Sequence, residues 1–117
     1  MEAYATGGGC SQAVSGFVNG WDVELHNQGY RAGFYSSGAS GITDQVNDAF
    51  FPGYHSPDII WFASWNGNSS VWGDRYVPNS MWTSHQRLHQ YQGGHDESYG
   101  GVGLNIDNDA ADAFLAG

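Results

Sequence analysis

The chain contains no lysine; three arginines face twelve acidic residues, and the formal net charge is −9. A nucleic-acid binder needs a basic footprint, and three arginines do not make one. An anionic membrane surface repels such a chain. Charged residues of both signs are only 13% of the total, about half the roughly 25% usual in globular proteins. The single cysteine, Cys10, excludes a disulfide framework within the chain and reads as a small buried residue. No apolar run approaches the roughly 18 residues of a membrane-spanning helix. The start, MEAYATGGGC, lacks the basic and apolar regions of a signal peptide. What the chain has instead is aromatic residues, 15% of its 117 residues, and 18 glycines. With 40% hydrophobic content it can bury a core, which argues against disorder. An acidic, aromatic-rich surface suits neutral or cationic polar ligands, carbohydrates among them.

Val14, Phe17, Val18, Trp21 and Leu25 follow the spacing of one helix face, so residues 11–28 are predicted helical, with Ser11 as N-cap and Gly29 just past the end. Residues 31–35 read as a short strand, 36–41 as a loop, and 42–50 as a helix stopped by Pro52. The continuous apolar run at 59–64 suits a buried parallel strand. Residues 66–84 read as a long ordered loop carrying Trp72 and Trp82. Residues 87–91 read as a strand, 93–101 as a turn-rich stretch with four glycines, and 102–107 as a last strand. Asn108 is then expected to cap a short helix with Ala111, Phe114 and Leu115 facing inward. Strands alternating with helices predict an α/β fold with a parallel sheet.

Ligands of such sheets gather at the C-terminal ends of the strands. Alternation along each strand places Tyr35, Trp65, Gln90 or Tyr91, and Asp107 at those ends, with Glu2 closing an earlier strand. Carboxylates can protonate a leaving oxygen or stabilise an oxocarbenium ion, and flat rings stack on sugar faces. Asp107, between Asn105 and Asn108, also fits a turn or cap; Trp61 reads as core rather than platform; Trp65 fits either role. His85 and His89, four apart, would suit zinc on a helix, but the strand reading removes that geometry. No metal and no cofactor is expected.

The segments GYRAGFYSSGASGI, PDIIWFASWNG and RLHQYQGGHDESYGGVGLNID, in this order and spacing, resemble a glycoside-hydrolase-like domain of the DUF1906 type. More distantly the chain is similar to the family 25 glycoside hydrolases, the lysozyme-type muramidases. The resemblance runs from residue 1 to about residue 113, and rests on Gly33–Ser36, Trp61–Trp65, His89–Tyr91 and Asn105–Asp107. It implies a (β/α) TIM-type barrel, of which residues 1–117 are a partial domain running from the end of strand 4 through strand 8 and the last helix. The N-terminal half is then missing, since a complete barrel runs to roughly 250 residues. A half-barrel leaves two sheet edges and an apolar interior open, which predicts poor solubility or pairing with another half. Met1-Glu2-Ala3-Tyr4 matches the end of an Asp-x-Glu-Ala-Tyr motif without its Asp. By the same resemblance Glu2 is the general acid and Asp107 the acid of the eighth strand, with Tyr35, Trp65, Gln90 and Tyr4 lining the cleft.

The expected function is action on a cell-wall-type, peptidoglycan-like glycan by carboxylate acid–base chemistry, inactive while one side of the cleft is absent. A non-catalytic glycan-binding module that keeps the cleft is the alternative, and a piece with no independent function is a third. Neither a nucleic-acid partner nor membrane insertion is expected. An extracellular or cell-wall location follows from the family alone.

Overall fold

The computed structural model describes residues 4–113. Helix α1 spans Gly9–Asn27 and helix α2 spans Thr43–Asp48. Four strands follow the order β1 (Gly33–Ser37), β2 (Ile59–Ala63), β3 (Gln86–Tyr99) and β4 (Val102–Ala113) across one sheet. A five-residue π-helical turn, Gly38–Ile42, joins β1 to α2.

Helix α1 ends where a glycine permits it. Gly29 takes φ 83°; its N–H donates to His26 O at 3.0 Å and the Tyr30 N–H to Leu25 O at 2.8 Å, a Schellman closure. The start differs from expectation: the helix begins before Ser11, whose Oγ accepts from the Gly7 N–H at 2.7 Å. Its inward row is also rotated. Val18 and Asp22 are buried, while Phe17 and Trp21 are 63% and 51% exposed. Cys10 is exposed, contrary to the reading as a small buried residue, because it lies in the first, uncovered turn.

The first three strands are parallel, as the alternating pattern predicts. Tyr35 pairs with Trp61 and Trp61 with Leu88, while Ser36 pairs with Phe62 and Phe62 with His89. Strand β1 begins two residues later than its sequence reading. Ala32 is instead held by Asp58: its N–H donates to Asp58 Oδ2 at 2.7 Å and its carbonyl accepts from the Asp58 and Ile59 N–H groups.

The last strand is antiparallel to β3, which corrects the all-parallel expectation. Gly100 and Gly101 take φ 57° and 82°, and Tyr99 pairs directly with Val102. Two consecutive positive-φ residues make the tight turn whose twist suits a hairpin, so no crossover is required. The turn-rich stretch 93–99 is therefore strand, and β4 continues through Ala113 where a helix capped by Asn108 was expected. Phe114 and Leu115 lie outside the described residues. The observed architecture is a mixed α/β sheet with two helices.

Register pairs share a face. One face carries Phe34, Ser36, Ile60, Phe62, Arg87 and His89. The core lies here: Ile42, Ile60, Phe62, Val77 and Trp82, with Phe34, Val46, Tyr76 and Met81 packed against them. Val77 and Trp82 come from residues 64–85, which contain no helix or strand. Two buried side chains of β3 tie this loop down. The Arg87 guanidinium donates to the carbonyls of Val71, Pro78, Met81 and Trp82. His89 lies flat on Phe62, centroid to centroid 4.5 Å, with its two ring nitrogens 2.7 Å from Ser70 O and 2.8 Å from Ser64 O.

Candidate functional site

Among the described residues the opposite face of the same sheet has no such cover. It carries Tyr35, Trp61, Leu88, Ala63, Gln90 and Asp109 by register, and Tyr35 and Trp61 are 37% and 38% exposed. A large aromatic pair on an uncovered face is the kind of surface that marks interaction sites.

Gln90 is the centre of this face. It is buried, and its Oε1 accepts two hydrogen bonds, from Tyr35 Oη at 3.2 Å and from Trp65 Nε1 at 3.0 Å. Its Nε2 donates to Asp107 Oδ2 at 3.0 Å. Trp Nε1 can only donate and a carboxylate mainly accepts, so the network fixes which way the amide faces. Asp107 Oδ1 accepts from the Gly94 N–H at 2.6 Å. Both Asp107 oxygens are thus occupied by N–H donors.

Asp107 reaches Gln90 by a route the sequence reading did not contain. It is not the end of a parallel strand; it sits inside β4, opposite a segment of β3 where the register shifts between Gln90 and Gln92 and again before His95. These bulges bend β3 and bring the Gly94 N–H onto the carboxylate. Asp109, two residues on and sharing the face, accepts from Trp61 Nε1 at 2.8 Å. The rings of Tyr35 and Trp61 meet edge to face at 5.0 Å. Trp61 therefore belongs to this polar-aromatic surface and not to the core, as its parity with Trp65 could have signalled. Asp109 was missed because β4 was taken to stop before it.

Trp65 is 70% exposed at the rim. It lies over Gly93: a Cβ there would stand 2.2 Å from Trp65 Cε2 and Cζ2. Gly93→Ala is accordingly expected to push the indole off Gln90 while leaving the core intact. The check is the Trp65 indole N–H resonance, which should move to a solvent-exposed position with little change in melting temperature.

Four of the six residues singled out from the sequence (Tyr35, Trp65, Gln90 and Asp107) are thus brought into one hydrogen-bonded cluster. Tyr4 is engaged with α2 instead: its hydroxyl donates to Asp44 Oδ2 at 2.6 Å, and burial beside that carboxylate raises its pKa. Glu2 lies outside the described residues. His85 faces Asp112 and His89 faces backbone carbonyls. Among the described residues no group of His, Cys, Asp and Glu is arranged to hold a metal ion, and no helix is long and apolar enough to cross a membrane.

A second polar group stands beside the cluster. Asp22 on α1 is 1% exposed, and neither carboxyl oxygen has a hydrogen-bond partner. Burial pushes its pKa from 3.8 up to about 7, with His26 opposing and Asp58 adding to the rise. The unfolded chain releases this proton near 3.8 while the folded chain holds it to about 7, so this group's contribution to stability falls as pH rises across that window. Asp22→Asn is therefore expected to melt above the wild type at pH 8, by about 5 °C or more. The gap should close toward pH 4 in thermal melts across that range.

The family model of the Rv2525c-like, glycoside hydrolase-like domain matches residues 1–111. The chain belongs to that family of glycoside hydrolase-like domains. No curated protein and no solved structure matches it.

Proposed function

We propose that the face centred on Gln90 binds a cell-wall-type, peptidoglycan-like glycan. The observation that carries this is the single network joining two exposed aromatic rings, a buried amide and a carboxylate. Exposed Trp and Tyr rings give sugar faces a flat apolar support, and the fixed polar groups orient hydroxyls. Family membership supports a glycan ligand. In this reading the uncovered face is the interior wall of the TIM-type barrel that the resemblance implies, and the protein works outside the cell or at its wall.

Hydrolysis adds the need for a proton donor. Asp107, with both oxygens accepting from N–H groups, is placed to set a negative charge against a developing oxocarbenium ion rather than to give a proton. Glu2 takes the part of general acid in the catalytic form of the proposal. The double occupation of Asp107 is also what favours the second form, a binding module that keeps the cleft without the chemistry.

The test is sedimentation with insoluble peptidoglycan, together with assay of newly released reducing ends. Trp65→Ala is expected to weaken binding about tenfold, the loss of one good stacking contact of roughly 1.4 kcal/mol. If Trp65→Ala binds as tightly as the wild type, the site is misassigned. Release of reducing ends that disappears in Glu2→Gln supports catalysis; binding with no release supports the module.

A further inference from the structure

Between α1 and β1 lies a cavity of about 280 Å³, lined by Phe17, Trp21 and Asp22 on the helix and by Gly33 and Tyr35 on the strand, among others. Small-molecule sites run roughly 300–1,000 Å³, so it has room for a ligand of about one ring. Its walls are unusual for an interior void. Phe17 and Trp21 are stacked at 6.2 Å and largely exposed, so they are not serving the core. Asp22 is buried with both oxygens unpartnered. A buried carboxyl with no donor is costly in either protonation state, and most costly when ionised.

The chain does little to relieve that cost. It contains no lysine. The Arg87 guanidinium is spent on loop carbonyls, that of Arg75 lies 4.9 Å over the Tyr76 ring, and Arg31 gives the Asp22 oxygens no hydrogen bond. His26, the group nearest in effect, holds Asp58 at 2.7 Å. A compact cation with several N–H groups would supply the partner the ionised carboxylate lacks. A hydroxyl offers one donor to two bare oxygens, whereas an ammonium offers three and cancels the charge. The aromatic wall favours the same guest, since a cation near a ring face is attracted to it.

The cavity adjoins the proposed glycan face, because Tyr35 both lines it and donates to Gln90. We propose that the cavity is a subsite for an amino sugar carrying a free, unacetylated amine, its ammonium on the Asp22 carboxylate and its flat face on Trp21. This rests on the glycan reading of the Gln90 face and adds a selection to it: the subsite rejects the N-acetylated sugar, whose neutral amide supplies one N–H and no charge.

The experiment titrates the protein at pH 7 with a glucosamine tetramer and with its fully N-acetylated counterpart, following binding by calorimetry. Wild type is expected to prefer the free-amine tetramer about tenfold, the factor that 1.4 kcal/mol represents. Asp22→Asn is expected to bring the two affinities together. Trp21→Ala, a surface change that leaves the carboxyl in place, is expected to weaken the free-amine tetramer. Equal wild-type affinities for the two tetramers, or a preference that survives in Asp22→Asn, overturn the subsite while leaving the glycan reading standing. If neither tetramer binds a wild type that still sediments with peptidoglycan, the subsite falls alone; if the protein does neither, both fall.

Discussion

Arg87→Met is expected to cost about 3–5 kcal/mol, because several loop carbonyls lose a charged donor at once and each buried group left unsatisfied costs about 1–3 kcal/mol. That is a large share of the roughly 5–15 kcal/mol that holds a typical domain folded. The side chain is fully buried and its guanidinium serves four carbonyls, with the Trp72 ring 4.1 Å away. Burial lowers its pKa while Asp74 opposes the fall. Those carbonyls belong to residues 71–82, which have no ladder of their own to satisfy them. Methionine fills the volume and supplies no donor, so the carbonyls are left bare and the loop that contributes Val77 and Trp82 to the core comes loose. Arg87→Lys is expected to fall between, because three N–H groups on a mobile stem cannot replace a planar fork. Urea unfolding followed by tryptophan fluorescence reads both. An Arg87→Met unfolding free energy within about 1 kcal/mol of wild type, the size of an ordinary neutral hydrogen bond, would mean that Arg87 does not hold the loop down.

Gln90→Leu is expected to spare the fold and damage the site. The substitution removes one acceptor and one donor at once, taking the Gln90 amide away from Tyr35 Oη, Trp65 Nε1 and Asp107 Oδ2. Tyr35 and Trp65 are exposed enough to turn to water, so stability should drop by only about 1–2 kcal/mol. Glycan binding should drop further, roughly tenfold to a hundredfold, because three groups lose their orientation together and networks of this kind are not additive. Gln90→Glu makes the sharper comparison. It keeps the shape and the oxygen that accepts from Tyr35 and Trp65 but replaces the donor to Asp107 with a second carboxylate oxygen, so it should bind worse than wild type and improve as pH is lowered.

Much of the cluster was legible in the sequence, and for a simple reason. Alternation along a strand fixes which side chains share a face, and Tyr35, Trp61 and Trp65 follow from that rule once the strands at β1 and β2 are found. The strand of β2 was legible because Ile59–Ala63 is an unbroken apolar run. The helix α1 was legible from its spacing, yet its buried row was not. Counting apolar positions selects Phe17 and Trp21, whereas the structure buries Asp22, and no hydropathy argument favours a carboxylate there.

The end of the chain was misread for opposite reasons. Asn105, Asp107, Asn108 and Asp109 have low strand propensity, which stopped the predicted strand early and invoked a cap. The signal for the hairpin was present in Gly100-Gly101, but four glycines between 93 and 101 blurred one tight turn into a loop. Arg87 gave no warning either. Arginine is rarely buried completely, and its role depends on carbonyls that only the folded loop collects.

The proposed glycan contact is the uncovered face around Gln90. Its most direct test is the set of tryptophan indole N–H signals in a two-dimensional NMR titration with a peptidoglycan-derived oligosaccharide. Trp65 and Trp61 donate to Gln90 and Asp109 on that face, while Trp82 is buried and donates to Pro57 O on the other side of the sheet. The Trp65 and Trp61 signals are expected to shift together and saturably while Trp82 stays in place. Saturable binding that leaves Trp65 and Trp61 unmoved would contradict that contact.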